Sequence, residues 1–232
     1  LYYHQHFSTP KGSTGTRSYE FAKKLIEYGH SVTIVCGNYW IADSGLSSPF
    51  INDYREGFVD GIRVCELNLK YSNSDNFFSR TITFLKYSWK GNYFALKEDY
   101  DIIFSTSTPL TAGIPGIIAS ILRNKRFVFE VRDLWPELPK QMGVITNPII
   151  LLLMRFLEII SYKSALACIG LSPGIVNGIR KNVPNKKIIM IPNGCDLKMI
   201  NYNNIKKNKF IAIFSGAHGY ANGLDAVLDA AK

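Results

Sequence analysis

The sequence predicts an α/β fold: a parallel sheet covered on both faces by helices. Three observations carry this. Short β-rich runs alternate with longer helical stretches along the chain. The best of these runs, such as SVTIVC and DIIFS, are apolar without a clean alternation, as strands buried on both faces are. The chain has 232 residues, 47 % of them hydrophobic and only 19 % charged, enough for one large domain or two small ones.

The elements follow in order. Leu1–His4 reads as the remnant of a strand and Gly12–Arg17 as a glycine-rich turn. Arg17–Tyr28 places Tyr19, Phe21, Ala22, Leu25 and Ile26 at helical spacing, and Gly29 stops it. Ser31–Cys36 is a β-branched buried strand. Gly61–Leu69 alternates, as a partly exposed strand does. Asn76–Glu98 is a long helix, and Asp101–Ser105 a strand. A helix containing Gly and Pro runs from Thr111 to Leu122. Arg126–Val131, Ala165–Gly170 and Lys187–Ile191 complete the strands, with helices at Pro148–Lys163 and Ser172–Arg180. The texture then changes: Pro192 to Asn208 is polar and rich in Asn and Lys, a linker. Phe210–Ser215 restarts a strand, and a helix follows from Leu224 to the last residue.

Composition removes several classes. An apolar-rich, charge-poor chain is not a disordered tail. Four dispersed cysteines, with no CxxC spacing, are not a disulfide scaffold and suit a reducing cytosol. No uncharged apolar run is long enough to span a bilayer. The opening Leu-Tyr-Tyr-His-Gln-His has neither the basic start nor the apolar core of a secretory leader.

Two strand–glycine loop–helix units carry the chemistry. The first runs Ser8 to Arg17 (STPKGSTGTR) and the second Phe214 to Gly223 (FSGAHGYANG). Such loops let backbone approach a ligand, and the helix that follows offers unpaired N–H groups to an anion. Neither matches GxGxxG or GxxxxGK[ST], so dinucleotide and P-loop nucleotide readings lose support. A strand-to-helix turn also needs glycine for structure alone, so each loop by itself leaves both roles open.

Taken together, four segments in fixed order are specific: HQHFSTPKGSTGTR, FEVRDLWPELP, IPNGCD and FSGAHGYANGLDAVLDA. The sequence resembles retaining GT-B glycosyltransferases of family four, closest to the bacterial branch of O-antigen and capsule assembly that transfers sugars such as N-acetylfucosamine or glucosamine relatives. The resemblance implies an acceptor-binding Rossmann-like domain over residues 1–192, a linker over 193–208, and the truncated start of a nucleotide-sugar-binding Rossmann-like domain over 209–232. It implies transfer from a UDP-linked sugar to a polyprenyl-diphosphate-linked glycan, at the inner face of the cytoplasmic membrane. The family's acidic E-x7-E motif and its Arg/Lys donor-phosphate pair would lie past Lys232, so the chain reads as an N-terminal fragment.

Site residues follow from the same resemblance. Asp133, Arg132 and Glu137 are the catalytic candidates, Asp133 first. Gly12, Gly15, Thr16, Arg17, His6 and Asn193 are candidates for substrate binding. Gly216, His218, Gly219, Asn222 and Gly223 would lie under the donor diphosphate. His4, beside His6, is as readily structural as functional. The physical logic is that a departing nucleoside diphosphate is stabilised by helix N-termini, backbone N–H groups and cations, and an oxocarbenium-like sugar by a carboxylate or carbonyl. No HExxH is present, and the one close carboxylate spacing, Asp99–Asp101, precedes a strand rather than ending one, so neither metal nor cofactor is expected.

Two basic regions remain. Asn76–Lys97 carries Arg80, Lys86, Lys90 and Lys97 with no acid, interleaved with aromatics including Trp89. Arg80, Lys86, Trp89 and Lys90 are the expected contacts with an anionic membrane surface, the alternative being a core-facing helix with solvated lysines. Ile149–Ile160 is apolar nearly all round, too short to span, and reads as a packed helix. Between Arg180 and Lys209 eight cations face one acid, most of the net charge of +9, without any nucleic-acid motif. Two other readings stand beside the transferase: a GT-B-fold UDP-sugar 2-epimerase, and a non-catalytic acceptor- and membrane-binding half of a two-part transferase.

Overall fold

The computed structural model describes residues 1–72, 75–195, 211–216 and 222–231. Eight strands form one sheet, in the order β3-β4-β2-β1-β5-β6-β7-β8. They are β1 (Tyr2–Tyr3), β2 (Thr33–Tyr39), β3 (Tyr54–Val59), β4 (Ile62–Tyr71), β5 (Ile102–Thr106), β6 (Arg126–Val131), β7 (Ala167–Gly170) and β8 (Ile188–Met190). All neighbours are parallel except the β3–β4 hairpin. The expected α/β class with a mainly parallel sheet is what the chain forms.

The lack of alternation in the strands has a direct cause. Tyr3, Val35, Cys65 and Leu67 enter one buried cluster, while their neighbours Tyr2, Ile34, Cys36 and Val64 enter a second. Successive side chains of a strand point to opposite faces, so burying both faces requires apolar residues throughout. The first cluster is covered by α2 (Phe77–Lys97), α3 (Ile114–Arg123) and α5 (Pro148–Ser164), with α3 packed between the other two. The second is covered by α1 (Arg17–Glu27) through Ala22. The remaining helices are α4 (Glu137–Gln141), α6 (Pro173–Asn182) and α7 (Leu224–Ala230).

Four expectations are corrected. Strand β3 goes unpredicted because it is an edge strand, YREGFV, with charged residues where a buried strand has none. Its hairpin signal was present nonetheless: Asp60 and Gly61, both at positive φ, form the two-residue loop between Val59 and Ile62. Helix α4 and a 3-10 turn at Leu110–Gly113 are too short to show a period. The strand expected at Phe210–Ser215 is absent from residues 211–216, which among the described residues have no neighbouring strand to pair their backbone. Finally, Pro148–Ser164 is not packed all round. Only Glu158, Ser161 and Tyr162 are fully buried, and apolar side chains of its first half face outward.

By contacts the described chain divides into two units, Leu1–Asn193 and Gly194–Lys232. The first contains the whole sheet. In the second, α7 begins after Gly223, at φ 55°.

Candidate active site

In this topology the chain runs from β1 to one side of the sheet through β2 and β4, then crosses over to β5 on the other side of β1. Ligands of open α/β sheets bind at the carboxyl ends of the strands where the order reverses. That edge holds a cleft of about 500 Å³ lined by His4, His6, Thr14, Gly15, Tyr39, Tyr71, Arg80, Thr108, Arg132, Asp133, Leu171 and Asn193. Every one of these follows, ends or lies just beyond a strand's carboxyl end.

The loop between β1 and α1 is strapped down. Thr9 N donates to Asp43 O at 2.7 Å, Asp43 N to Ser8 Oγ at 3.1 Å and Ser13 N to Ile41 O at 2.8 Å. At Gly12 a Cβ would sit 2.2 Å from Ser8 Oγ and 2.6 Å from Asp43 N, so that glycine is demanded by packing. Gly15 differs. Nothing lies within 4 Å of where its Cβ would be, its φ is ordinary, and it lines the cleft. Thr16 starts α1 without a side-chain cap, which leaves first-turn N–H groups unpaired at the positive end of the helix.

Arg17 does not face the cleft. Its five N–H groups are all spent: Nε and Nη2 donate to Glu130 Oε2 at 3.0 and 2.8 Å, Nη2 to Ile191 O at 2.8 Å, and Nη1 to Pro192 O at 2.8 Å and Asn193 Oδ1 at 3.3 Å. Glu130 is fully buried, and its other oxygen accepts from Thr106 Oγ1 at 2.8 Å. The expected substrate contact is therefore a structural tie among α1, β6 and the chain leaving β8.

The guanidinium facing the cleft from β6 is Arg132. Its Nη1 lies 3.2 Å from His4 Nε2, and His4 Nδ1 lies 2.6 Å from Ser18 Oγ. A guanidinium only donates, so Nε2 is the acceptor and His4 carries its proton on Nδ1. Burial, then the charge of Arg132, holds the His4 pKa well below the usual histidine range. His6 is lowered to about 4 by burial and by Arg132 and Arg80. Its ring sits against Tyr39 and Tyr71, at 5.1 and 4.7 Å between centroids. The His6 Nδ1 and Thr14 Oγ1 atoms are buried and have no protein partner. Asp133 Oδ2 accepts from Thr108 Oγ1 at 3.3 Å. Thr108 holds φ 103°, a region that β-branched residues rarely adopt and that clusters at functional sites.

The cleft thus gathers Asp133, Arg132, Gly15, His6 and Asn193 from the expected set. Gly12, Thr16 and Arg17 stand behind it. Glu137 is exposed at the first residue of α4, accepts from Gln141 Nε2 at 3.4 Å, and does not line the cleft. Arg80, expected at a membrane, lines the cleft with its guanidinium 5.8 Å from the Tyr71 ring centroid. Lys90 pairs with Asp53 at 2.8 Å, whereas Lys86 and Trp89 are exposed. In the second unit Gly216 lies beside the Phe214 ring and Asn222 and Gly223 precede α7, while His218 and Gly219 lie outside the described residues. Sequence reasoning missed Thr14, Tyr39, Tyr71, Thr108 and Leu171. The signal was available, since Tyr39 and Tyr71 are the last residues of β2 and β4. Among the described residues no three His, Cys, Asp or Glu side chains cluster as a metal would require.

Residues 12–194 match the sequence profile of the glycosyl transferase 4-like domain. The chain belongs to that family. The fold of this glycosyl transferase 4-like domain is also that of solved GT-B enzymes. It is similar to sucrose-phosphate synthase from Thermosynechococcus elongatus, with TM-score 0.57 and 15 % identity, over 85 % of this chain and 48 % of that one. It is similar to an E. coli structure described as trehalose-6-phosphate bound with UDP-2-fluoro glucose, with TM-score 0.54 and 11 % identity over 85 % of this chain and 49 % of that one. The alpha,alpha-trehalose 6-phosphate synthase of Burkholderia multivorans gives TM-score 0.50 and 9 % identity over 83 % and 46 %. The chain spans about half the length of these three structures. No curated protein sequence matches it.

Proposed function

We propose that this domain is the acceptor side of a retaining glycosyltransferase that moves a sugar from a UDP-sugar to a lipid-linked glycan in bacterial surface polysaccharide assembly. On this reading the complete enzyme closes a second Rossmann-like domain beyond residue 209 around the donor, with Gly216, His218, Gly219, Asn222 and Gly223 under its diphosphate. The observation that carries the reading is the polarity of the cleft. The bare backbone at Gly15 and the guanidiniums of Arg80 and Arg132 share the cleft with a single carboxylate, Asp133, and the uncapped start of α1 follows Gly15 directly.

Each part has a task. Unpaired N–H groups and guanidiniums stabilise the negative charge that grows on a departing diphosphate, with no metal required. Asp133, steadied by Thr108, stabilises an oxocarbenium-like sugar. His6 is neutral at physiological pH, so its free Nδ1 is a hydrogen-bonding partner for a sugar hydroxyl rather than a charge. The E. coli structure of the same fold holds a UDP-sugar, which supports that donor class. The exposed Lys86 and Trp89 on α2 suit a headgroup region, and no helix among the described residues is long and apolar enough to cross a membrane. On this reading the enzyme works as a peripheral protein on the inner face of the cytoplasmic membrane.

The test is turnover of the complete protein with UDP-sugars and a polyprenyl-diphosphate glycan, in the presence of a chelator. UDP release and a glycan one sugar longer are expected, and Asp133→Ala should lower turnover by about a hundred-fold or more. Wild-type turnover in that variant would remove Asp133 from the reaction, and silence on chelation would end the metal-free reading.

A further inference from the structure

The segment that follows the Arg132–Asp133 loop carries several exposed apolar side chains close together. Helix α5 buries its second half, through Glu158, Ser161 and Tyr162. In its first half Ile149, Leu152, Leu153 and Phe156 are between 62 and 68 % exposed. Their spacing, i, i+3, i+4, i+7, puts them on one stripe pointing away from the sheet. The loop before the helix adds Met142 and Val144, also exposed. Exposed apolar side chains scattered singly need no explanation, but a contiguous stripe of this kind marks an interaction site.

Charge narrows the partner. From Leu138 to Leu157 there is no acidic residue; Lys140 is exposed, and Arg155 is already paired with Glu158. The same helical layer presents α2, which has no acid from Phe77 to Lys97; of its four cations Arg80 lines the cleft and Lys90 pairs with Asp53, which leaves Lys86 and Lys97 exposed. A second copy of this chain would have to bring two such cation-edged stripes face to face, which like-charge repulsion opposes. An anionic lipid surface offers both missing complements, acyl chains for the stripe and phosphate for the cations.

Topology supplies the purpose. Helix α5 runs from the carboxyl end of β6 back to the amino end of β7, so its exposed first half starts at the edge of the sheet where the cleft opens. Helix α2 connects β4 to β5 in the same sense, so exposed Phe77 and Phe78 lie at that edge too. We infer that the α4–α5 loop and the first half of α5 form an apolar wedge that enters an anionic bilayer surface beside the cleft, holding the mouth of the site at headgroup depth. This rests on the membrane-associated reading above and assigns the insertion to α5, a segment whose sequence alone reads as core.

The test uses the full chain and sedimentation with vesicles of phosphatidylglycerol and phosphatidylcholine in equal parts, against vesicles of phosphatidylcholine alone. One variant carries Leu152→Ser, Leu153→Ser and Phe156→Ser. A second carries Lys86→Gln and Trp89→Ser on α2. All these side chains are exposed, and circular dichroism with thermal melting checks each fold. The wild type should bind the anionic vesicles, and the α5 variant should bind about ten-fold or more weakly, with a smaller loss for the α2 variant. In the single variant Phe156→Trp, the new indole should shift its emission to the blue with anionic vesicles. Wild-type binding by the α5 variant would overturn the wedge while leaving membrane association standing. Absence of binding by the wild type would overturn both. A dimer in sedimentation velocity that the α5 substitutions dissolve would assign the stripe to a second copy and overturn the proposal. None of these outcomes touches the UDP-release assay, which tests the transferase reading on its own.

Discussion

Two arginines at the same end of the sheet do opposite work. Arg17 comes from the glycine loop, the feature that most resembles a phosphate site, and has no donor left for a ligand. Arg80 comes from a helix that reads as a basic surface, and it lines the cleft. The same contrast divides two glycines three residues apart: Gly12 is wedged against Ser8 and Asp43, Gly15 is open. Proximity in sequence to a motif is thus a poor guide to who meets the substrate. What decides is whether the polar groups of a side chain are already satisfied.

The sharpest way to break the contrast is Arg17→Ala. It leaves Glu130 buried without its cation, and unfolding free energy should fall by about 3–5 kcal/mol in urea denaturation. A loss below about 1 kcal/mol would show that Arg17 is not the tie described here.

The next effect is on acid stability. His6 has a folded pKa of about 4, below its unfolded value of 6.5. The unfolded chain therefore binds more protons between those values. Stability from this group is complete above about pH 6.5 and falls as pH drops toward 4, by up to about 3 kcal/mol, with His4 acting in the same direction. Melting curves across that window should flatten in His6→Phe, which keeps the contacts with Tyr39 and Tyr71. An unchanged pH slope would refute the assignment.

Gly12→Ala should cost about 1–3 kcal/mol, because backbone as well as a side chain must move to admit the methyl group. Gly15→Ala and Arg80→Gln should change stability by less than about 0.5 kcal/mol. Both should weaken binding of the anionic substrates, by about ten-fold for Arg80→Gln, read by calorimetric titration. If the two glycine variants behave alike, the division of the loop into a packed half and an open half is wrong.

The fold was legible because its determinants are local and repeated. Two-sided burial writes itself into SVTIVC and FVFEV as apolar runs without a polar alternation, interrupted in the second by Glu130, the acid that Arg17 meets, and the helices between them have caps and period. Strand β3 was not, since an edge strand buries one face at most and Arg55 and Glu56 disguise it. Asp133 and Arg132 line the cleft because they follow a buried strand in a parallel sheet, a placement the sequence pattern carries. Arg17 was misread because its partners, Glu130 and the carbonyls of Ile191 and Pro192, are far away in sequence, and no local pattern encodes a side chain's distant acceptors. Exposure of α5 was misread for a related reason: periodicity reports an apolar helix, not whether anything is stacked on it.

The Arg17 tie also bears on how the domain is made. Its bonds span 113 residues to Glu130 and 175 to Pro192. A chain leaving the ribosome amino end first has α1 available well before the acceptors that fix its start, which emerge more than a hundred residues later. Until then Arg17 has no buried anion to meet, and closing so long a loop is slow. The glycine loop is consequently synthesised well before it can acquire its final shape. The start of α1 is therefore fixed only when β8 has joined the sheet.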